Sequence, residues 1–143
     1  MNKKLTCLSL VSLAACFGVA QADDWTVLTP SSKLTSCGPD APPACQHVLL
    51  QGDPKTGSSQ HVYHLPAGWV FVKHWHSGTE DLVITKGTVK ISAEGQPEKT
   101  MKVGDYLHIP PKVVHWGTCS EECEFYLVVT GPDSFNVVEE KKQ

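Results

Sequence analysis

The sequence predicts an all-β fold in a single domain, a sandwich or barrel of about eight or nine short strands. After residue 46, apolar runs alternate with turn sequences such as Gly52-Asp53-Pro54. Within the runs, apolar residues recur at every second position, as at Phe125, Leu127 and Val129. Outside the first 22 residues, no window of a dozen residues shows the spacing of an amphipathic helix. A chain of 143 residues has the length of one domain.

Each predicted strand is an apolar run bounded by glycine, proline or aspartate. Val89 and Ile91 face one side while Lys90 and Ser92 face the other, as in a half-buried strand. Residues 23–47 are rich in proline, so we expect an irregular N-terminal extension, then a barrel over 48–138 and a charged tail over 139–143. The runs cover residues 47–51, 60–65, 69–74, 81–85, 88–92, 100–103, 106–109 and 124–130, with a weaker run at 134–138.

The N-terminus has the pattern of a secretory signal peptide. A short positive segment, residues 1–4, precedes an uncharged apolar run over 5–19, and Ala20-Gln21-Ala22 then offers small residues for cleavage. We expect removal of residues 1–22 and a periplasmic or secreted protein. A second interpretation is a lipid anchor on Cys16, which follows Leu13-Ala14-Ala15. The apolar residues after Cys16 argue against it, because lipoproteins usually turn polar there.

Four cysteines remain after the predicted cleavage, an even number for an oxidising compartment. The simplest of three possible pairings is local, joining Cys37 to Cys45 and Cys119 to Cys123. The rival interpretation is metal ligation by thiolates, but C-x-x-x-C is not the usual spacing of a zinc site.

Charge and composition exclude some classes of function. The formal net charge is −3 and all twelve cations are lysines. Without a basic stripe, nucleic acid is not an expected partner, and an acidic mature chain gives no reason to bind a membrane beyond the signal segment. The absence of arginine disfavours a strongly anionic substrate.

One constellation of residues predicts a metal site. His74 and His76 stand two apart at the end of a strand, so their side chains project to the same face with Cα atoms about 7 Å apart. Gly78 lets the chain turn, and Glu80 starts the next strand. A Pro-Pro turn leads to His115, which adds a ligand from a distant strand. Three imidazoles and one carboxylate suit a divalent transition metal with positions left for water or substrate.

These residues carry a resemblance to the cupin superfamily. The first cupin signature, G-x5-H-x-H-x3-E-x6-G, is matched without a gap by Gly68, His74, His76, Glu80 and Gly87. The second is matched in part by Gly104, Pro110 and His115, but Lys112 stands where the family has glycine and Cys119 where it has asparagine. Lysine incurs a steric cost if that turn needs a positive φ.

The resemblance extends to small exported cupins of unassigned activity and covers most of residues 48–138. It implies a double-stranded β-helix, or jelly-roll barrel, that holds one metal ion: iron, manganese, nickel, copper or zinc. It implies either a metal-dependent enzyme acting on a small chelating organic substrate, as a dioxygenase, lyase or isomerase does, or a non-catalytic metal- or ligand-binding module. A homodimer is also consistent with the family.

A second acid or base beside the metal would favour an enzyme. His108 alternates with apolar residues and is expected to point away from the core. His61 and His64 lie on opposite faces of one strand. Either one of them lines the barrel, with His64 as the candidate, or they are surface histidines, which is the simpler interpretation. The candidates for the second acid or base are Tyr63, Tyr106, Tyr126, His64 and Asp81.

Overall fold

The computed structural model describes residues 27, 29, 33–37 and 43–138. The predicted signal peptide with Cys16 and the predicted tail 139–143 lie outside these residues. No helix in the described ranges is long and apolar enough to cross a membrane. The described residues form the strands β1 (Thr35–Ser36), β2 (Gln46–Gly52), β3 (Ser59–Leu65), β4 (Val70–His76), β5 (Thr79–Lys86), β6 (Thr88–Ala93), β7 (Lys99–Lys102), β8 (Tyr106–Ile109), β9 (His115–Cys119), β10 (Cys123–Thr130) and β11 (Phe135–Val137).

The strands pair antiparallel in two sheets. One sheet has the order β1-β2-β3-β10-β5-β8 and the other the order β11-β4-β9-β6-β7. The chain crosses between the sheets from β3 to β4 and again from β4 to β5, as it does in a jelly roll. The predicted all-β, double-stranded β-helix fold is confirmed.

The inner faces of both sheets form the core. On β10, Cys123, Phe125, Leu127 and Val129 are buried and alternate with more exposed residues, as the sequence predicts. The deepest side chains gather at the end of the barrel away from β11, where Leu65 and Ile84 are each only 1% exposed. Burial of an aliphatic side chain of this size stabilises the fold by about 1.5–3 kcal/mol.

Two local disulfides lie at this end of the barrel, away from β11. The structure pairs Cys37 with Cys45 and Cys119 with Cys123, with Cα atoms 5.5 and 5.8 Å apart. The second disulfide joins β9 of one sheet to β10 of the other, so it ties the sheets together. Gly87, on the adjacent β5–β6 turn, has a φ of +73° and a Cβ there would lie 2.2 Å from the carbonyl oxygen of Glu122. A larger residue would force these strands apart.

Two strands were not among the predicted runs. The segment expected to be irregular contains β1, whose two residues are exposed and pair with His47 and Gln46, so no apolar pattern marks it. Strand β9 presents His115, Gly117 and Cys119 to the interior, and a histidine and a glycine do not produce an aliphatic alternation. Long-range pairing, not local pattern, makes both segments strands.

Candidate metal centre

Three elements bring the four predicted ligands together. His74 and His76 end β4, Glu80 is the second residue of β5, and His115 is the first residue of β9. One nitrogen of each histidine and one carboxylate oxygen all lie within 4.8 Å of one another. His74, Glu80 and His115 are each 4–6% exposed, and the side chain of His76 is 11% exposed. The cluster is therefore largely shielded from bulk water.

Strand pairing explains this convergence. His74 is the cross-strand partner of His115, so their side chains leave the sheet on the same face. The register shifts between Phe71 and His74, which marks a bulge in β4. The bulge lets the side chains of Phe71 and His74 both face the interior, although the two residues are three positions apart. The turn after His76 then returns the chain to the opposite sheet, where Glu80 faces the histidines.

Hydrogen bonds fix the orientation of all three imidazoles. The Nδ1 of His74 donates to the Val72 carbonyl at 2.6 Å, and that of His115 donates to the Val113 carbonyl at 2.9 Å. The Nδ1 of His76 donates to Oδ2 of Asp133 at 2.7 Å. Because carbonyl and carboxylate oxygens only accept, each Nδ1 carries a proton, and each ring directs its Nε2 atom toward the cluster.

The cluster fits a bound cation. The Nε2 atoms of His76 and His115 lie 3.4 and 3.1 Å from the two oxygens of Glu80. Glu80 Oε2 is nevertheless buried without a hydrogen bond of acceptable geometry. Imidazole nitrogens and a carboxylate oxygen are ligands that a divalent transition metal prefers, and an ion among these atoms would satisfy the buried carboxylate.

Burial and the carboxylate act in opposite directions on the pKa values of two ligands. Burial lowers the pKa of His74 to about 4, so this imidazole is neutral and free to bind a metal at neutral pH. Burial also lowers the pKa of His115, but the Glu80 carboxylate and the Val113 carbonyl together raise it above its usual value. Metal binding at His115 therefore competes with a proton.

Asp133 is a site residue that the sequence analysis missed. Besides accepting from His76, it accepts from the N–H of Gly78 at 3.2 Å, and its side chain is 12% exposed. Asp133 is 57 residues from His76 and reaches it because β11 pairs with β4. In the local sequence, only the Gly131-Pro132 turn before Asp133 pointed to this segment.

The turn in which Lys112 replaces the glycine of the second cupin motif also contacts this site. Lys112 has a φ of +65°, the one positive φ of a non-glycine residue in the described ranges. Its N–H donates to the carbonyl of His76 at 2.8 Å. The turn geometry is therefore retained with lysine, at the steric cost expected for an L-residue.

A cavity of about 420 Å³ extends from the four ligands into the barrel. Its wall is mainly aliphatic and aromatic, and the described residues that line it include no lysine. Of the five candidates for a second acid or base, only Tyr63 lines this cavity. Its ring stacks on Phe125 with centroids 5.4 Å apart. Burial raises the pKa of Tyr63, and the charges of Glu80 and Asp133 raise it further, so Tyr63 keeps its proton at neutral pH.

The remaining candidates face away from the cavity. His108 and Tyr106 both donate to Asp81 on the exposed side of β5 and β8, as predicted for His108. His64 lies between Glu122 and Glu124 on the outside, in agreement with its expected surface position. The hydroxyl of Tyr126 donates to Gln60.

Known proteins share this fold and part of the sequence. The acetylacetone-cleaving enzyme of Acinetobacter johnsonii is 29% identical over 89 residues, which make up 61% of this chain and 58% of that enzyme. The DMSP lyase DddQ of Ruegeria pomeroyi DSS-3 superposes with a TM-score of 0.63 at 19% identity, over 82% of this chain and 62% of the lyase. A conserved Klebsiella pneumoniae protein with a double-stranded β-helix domain gives a TM-score of 0.64 at 17% identity, over 82% of this chain and 100% of its own.

The chain thus spans less than two-thirds of the length of the acetylacetone-cleaving enzyme and of the lyase. At such low identities the structural likeness shows the fold. The family described as the ChrR cupin-like domain matches residues 39–134, more than half of the chain and a segment that includes all four clustered residues. The chain therefore belongs to the ChrR cupin-like domain family.

Proposed function

We propose that this protein is a metal-dependent enzyme whose small organic substrate chelates a metal ion held by His74, His76, Glu80 and His115. The observation that carries the proposal is the convergence of three inward Nε2 atoms and an orphaned buried carboxylate oxygen at one end of an apolar cavity. Four protein ligands would leave coordination positions of a divalent ion for a chelating molecule. Iron or manganese suits this ligand set, and nickel, copper and zinc are the alternatives.

We propose a 1,3-dicarbonyl compound as the substrate class, since a relative at 29% identity cleaves acetylacetone. The enolate of such a compound carries two oxygens at chelating distance and a single negative charge. The described cavity lining contains no lysine, and Lys73 lies with its Nζ 5.1 Å from the centroid of the Trp116 ring instead. The metal is then the positive charge available to the substrate, which matches a monoanion better than a dianion.

The protein's own side chains have distinct roles in this proposal. A bound divalent ion supplies Lewis acidity toward the substrate oxygens. Asp133 holds the ring of His76 in the binding orientation, and the backbone carbonyls of Val72 and Val113 hold the other two imidazoles. The apolar wall excludes water, which strengthens electrostatic interactions at the site. Tyr63 is the protonated hydroxyl on the cavity wall that can donate to a bound substrate.

Metal content and turnover test the proposal. We expect the purified protein to hold one metal ion per chain and to consume acetylacetone, whereas His74→Ala loses both properties. His108→Ala is the matched control, because it removes an outer-face histidine and should retain both. Protein without stoichiometric metal would refute the metal site. Saturable, metal-dependent binding of acetylacetone without turnover would support the alternative, a ligand-binding module.

Export is part of the proposal. Two disulfides in the described residues suit an oxidising compartment. We expect the exported protein to begin at Asp23, as intact mass would show, and a mass that includes lipid on Cys16 would favour the anchored form instead. A homodimer stays a prediction, which sedimentation of the exported protein would check.

A further inference from the structure

We propose that the cavity contains a second, apolar subsite beyond the metal that binds the hydrocarbon tail of the substrate. The substrate class is then an amphiphilic 1,3-dicarbonyl compound with an alkyl or aryl chain, not a compact diketone. The identity of the chelating head rests on the proposed function. The tail subsite rests on the shape and chemistry of the cavity.

Three strands, β5, β6 and β9, place apolar residues at the same distance from the metal ligands. Ile84 follows Glu80 by four residues along β5, and Cys119 follows His115 by four residues along β9. Val89 is the cross-strand partner of Cys119. Four residues of extended strand span about 13 Å. Ile84 and Val89 therefore lie about 13 Å from the ligands along the barrel.

Met101 completes this wall. It is the cross-strand partner of Val89, and Ile84, Val89 and Met101 are all at most 5% exposed and all line the cavity. They form an apolar part of the cavity wall far from the metal ligands.

The cavity between the ligands and this wall is also apolar. Leu82, Leu107 and Ile91 line it at the intermediate level, where Leu82 and Leu107 are cross-strand partners. Outside the ligand cluster, Tyr63 and Trp69 carry the remaining side-chain nitrogen and oxygen atoms of the described lining. Water in such a space has few hydrogen-bond partners, so a hydrocarbon chain displaces it favourably.

The volume exceeds the need of a compact chelator. At about 420 Å³, the cavity falls in the range of about 300–1,000 Å³ that takes drug-sized ligands. Acetylacetone has five carbons and two oxygens, and chelation confines it to the metal end. The apolar part of the cavity beyond the ligands is then left for additional carbon atoms of a longer molecule.

A homologous series measures the subsite directly. Zinc-loaded protein is titrated with 2,4-pentanedione, 2,4-heptanedione and 2,4-nonanedione, and the dissociation constant is taken from the ultraviolet absorbance of the chelate. Each methylene that enters the apolar end should lower the dissociation constant about three- to fourfold. Equal or weaker binding of the longer homologues overturns the tail subsite.

Met101 provides an independent reporter. The chain has two methionines, Met1 and Met101, so Met101 contributes the only internal signal after ¹³C-methyl methionine labelling. We expect 2,4-nonanedione to shift this resonance and 2,4-pentanedione to leave it in place. In metal-free protein, 1-octanol tests the tail subsite without any chelating head.

Matched variants identify the wall. Val89→Phe places a ring at the apolar wall and should abolish the gain with chain length. Val103→Phe makes the same change at a residue that is 63% exposed and outside the cavity lining, and should leave the series unchanged. If Val89→Phe does not fold, the wild-type series and the Met101 signal still decide.

The outcomes separate the two proposals. If 1-octanol shifts the Met101 methyl resonance and zinc-loaded protein binds no diketone, the tail subsite is supported and the 1,3-dicarbonyl head group is refuted. Binding of 2,4-pentanedione with no gain along the series, together with an unmoved Met101 signal, overturns the tail subsite and leaves the proposed function intact.

Discussion

Replacing Asp133 with asparagine should weaken metal binding although Asp133 is not itself a proposed ligand. Asp133 accepts two hydrogen bonds, from Nδ1 of His76 at 2.7 Å and from the N–H of Gly78 at 3.2 Å. The two donors point to different oxygens, Oδ2 and Oδ1, and an asparagine side chain has an NH₂ group in place of one of them. The variant therefore either releases the His76 ring or leaves a backbone N–H unpaired.

The geometry sets the size of the effect. The side chains of His76 and Asp133 are 11% and 12% exposed, so water replaces the lost bond poorly. Losing a hydrogen bond to a charged group costs about 1.5–3 kcal/mol. If the cost falls on the metal-bound state, metal affinity drops about 10- to 100-fold, the usual range for such supporting residues.

Competition titration of zinc against a chromophoric chelator measures this change in the wild type and in Asp133→Asn. Asp81→Asn is the matched control, because Asp81 also accepts from a histidine Nδ1 at 2.7 Å but on the outer face of the barrel. We expect Asp81→Asn to bind zinc as the wild type does. An affinity for Asp133→Asn within twofold of the wild type would refute the positioning role.

Three further predictions concern stability, each measured by denaturant unfolding. Lys112→Gly should raise the unfolding free energy by about 1 kcal/mol, because glycine adopts a φ of +65° without the penalty of an L-residue. In metal-free protein, burial lowers the pKa of His74 to about 4, so the stability that the neutral ring contributes is complete above pH 6.5 and is lost as the pH falls toward 4. His74→Gln should reduce this loss by about 3 kcal/mol. Replacing Cys119 and Cys123 together with alanine should cost about 2 kcal/mol, given their short loop.

Each stability prediction has a control. Lys112→Ala keeps the backbone strain, and its stability should match that of the wild type. If Lys112→Ala gains as much as Lys112→Gly, side-chain loss and not backbone conformation explains the change. If the unfolding free energies of the wild type and His74→Gln change equally with pH, His74 does not stay neutral below pH 6.5. Unchanged stability after removal of Cys119 and Cys123 would mean that this disulfide is absent from the purified protein.

Local periodicity made most of the fold predictable. The alternation of Phe125, Leu127 and Val129 follows from the period of two of any strand, and the turn residues between runs mark the strand ends. Strands β1 and β9 were not predictable in this way. Their inner or paired residues are not aliphatic, and pairing with distant strands holds them in place.

In the candidate site too, some residues follow from local spacing and others depend on the pairing of distant strands. His74, His76 and Glu80 lie within seven residues of one another, so strand alternation and one turn suffice to predict that they share a face. His115 was accessible only through the second motif, because its pairing with His74 spans 41 residues.

By itself the sequence determined the fold class and the shared face of His74, His76 and Glu80, because short-range spacing encodes both. It predicted the local cysteine pairing on grounds of simplicity, and His115 through the second motif. The tertiary structure decided that Asp133 supports His76, that Tyr63 and not His64 faces the cavity, and that Ile84, Val89 and Met101 line it. These features depend on which strands become neighbours and where a bulge shifts the register. Such contacts join residues that are far apart in the chain, and no local pattern specifies them.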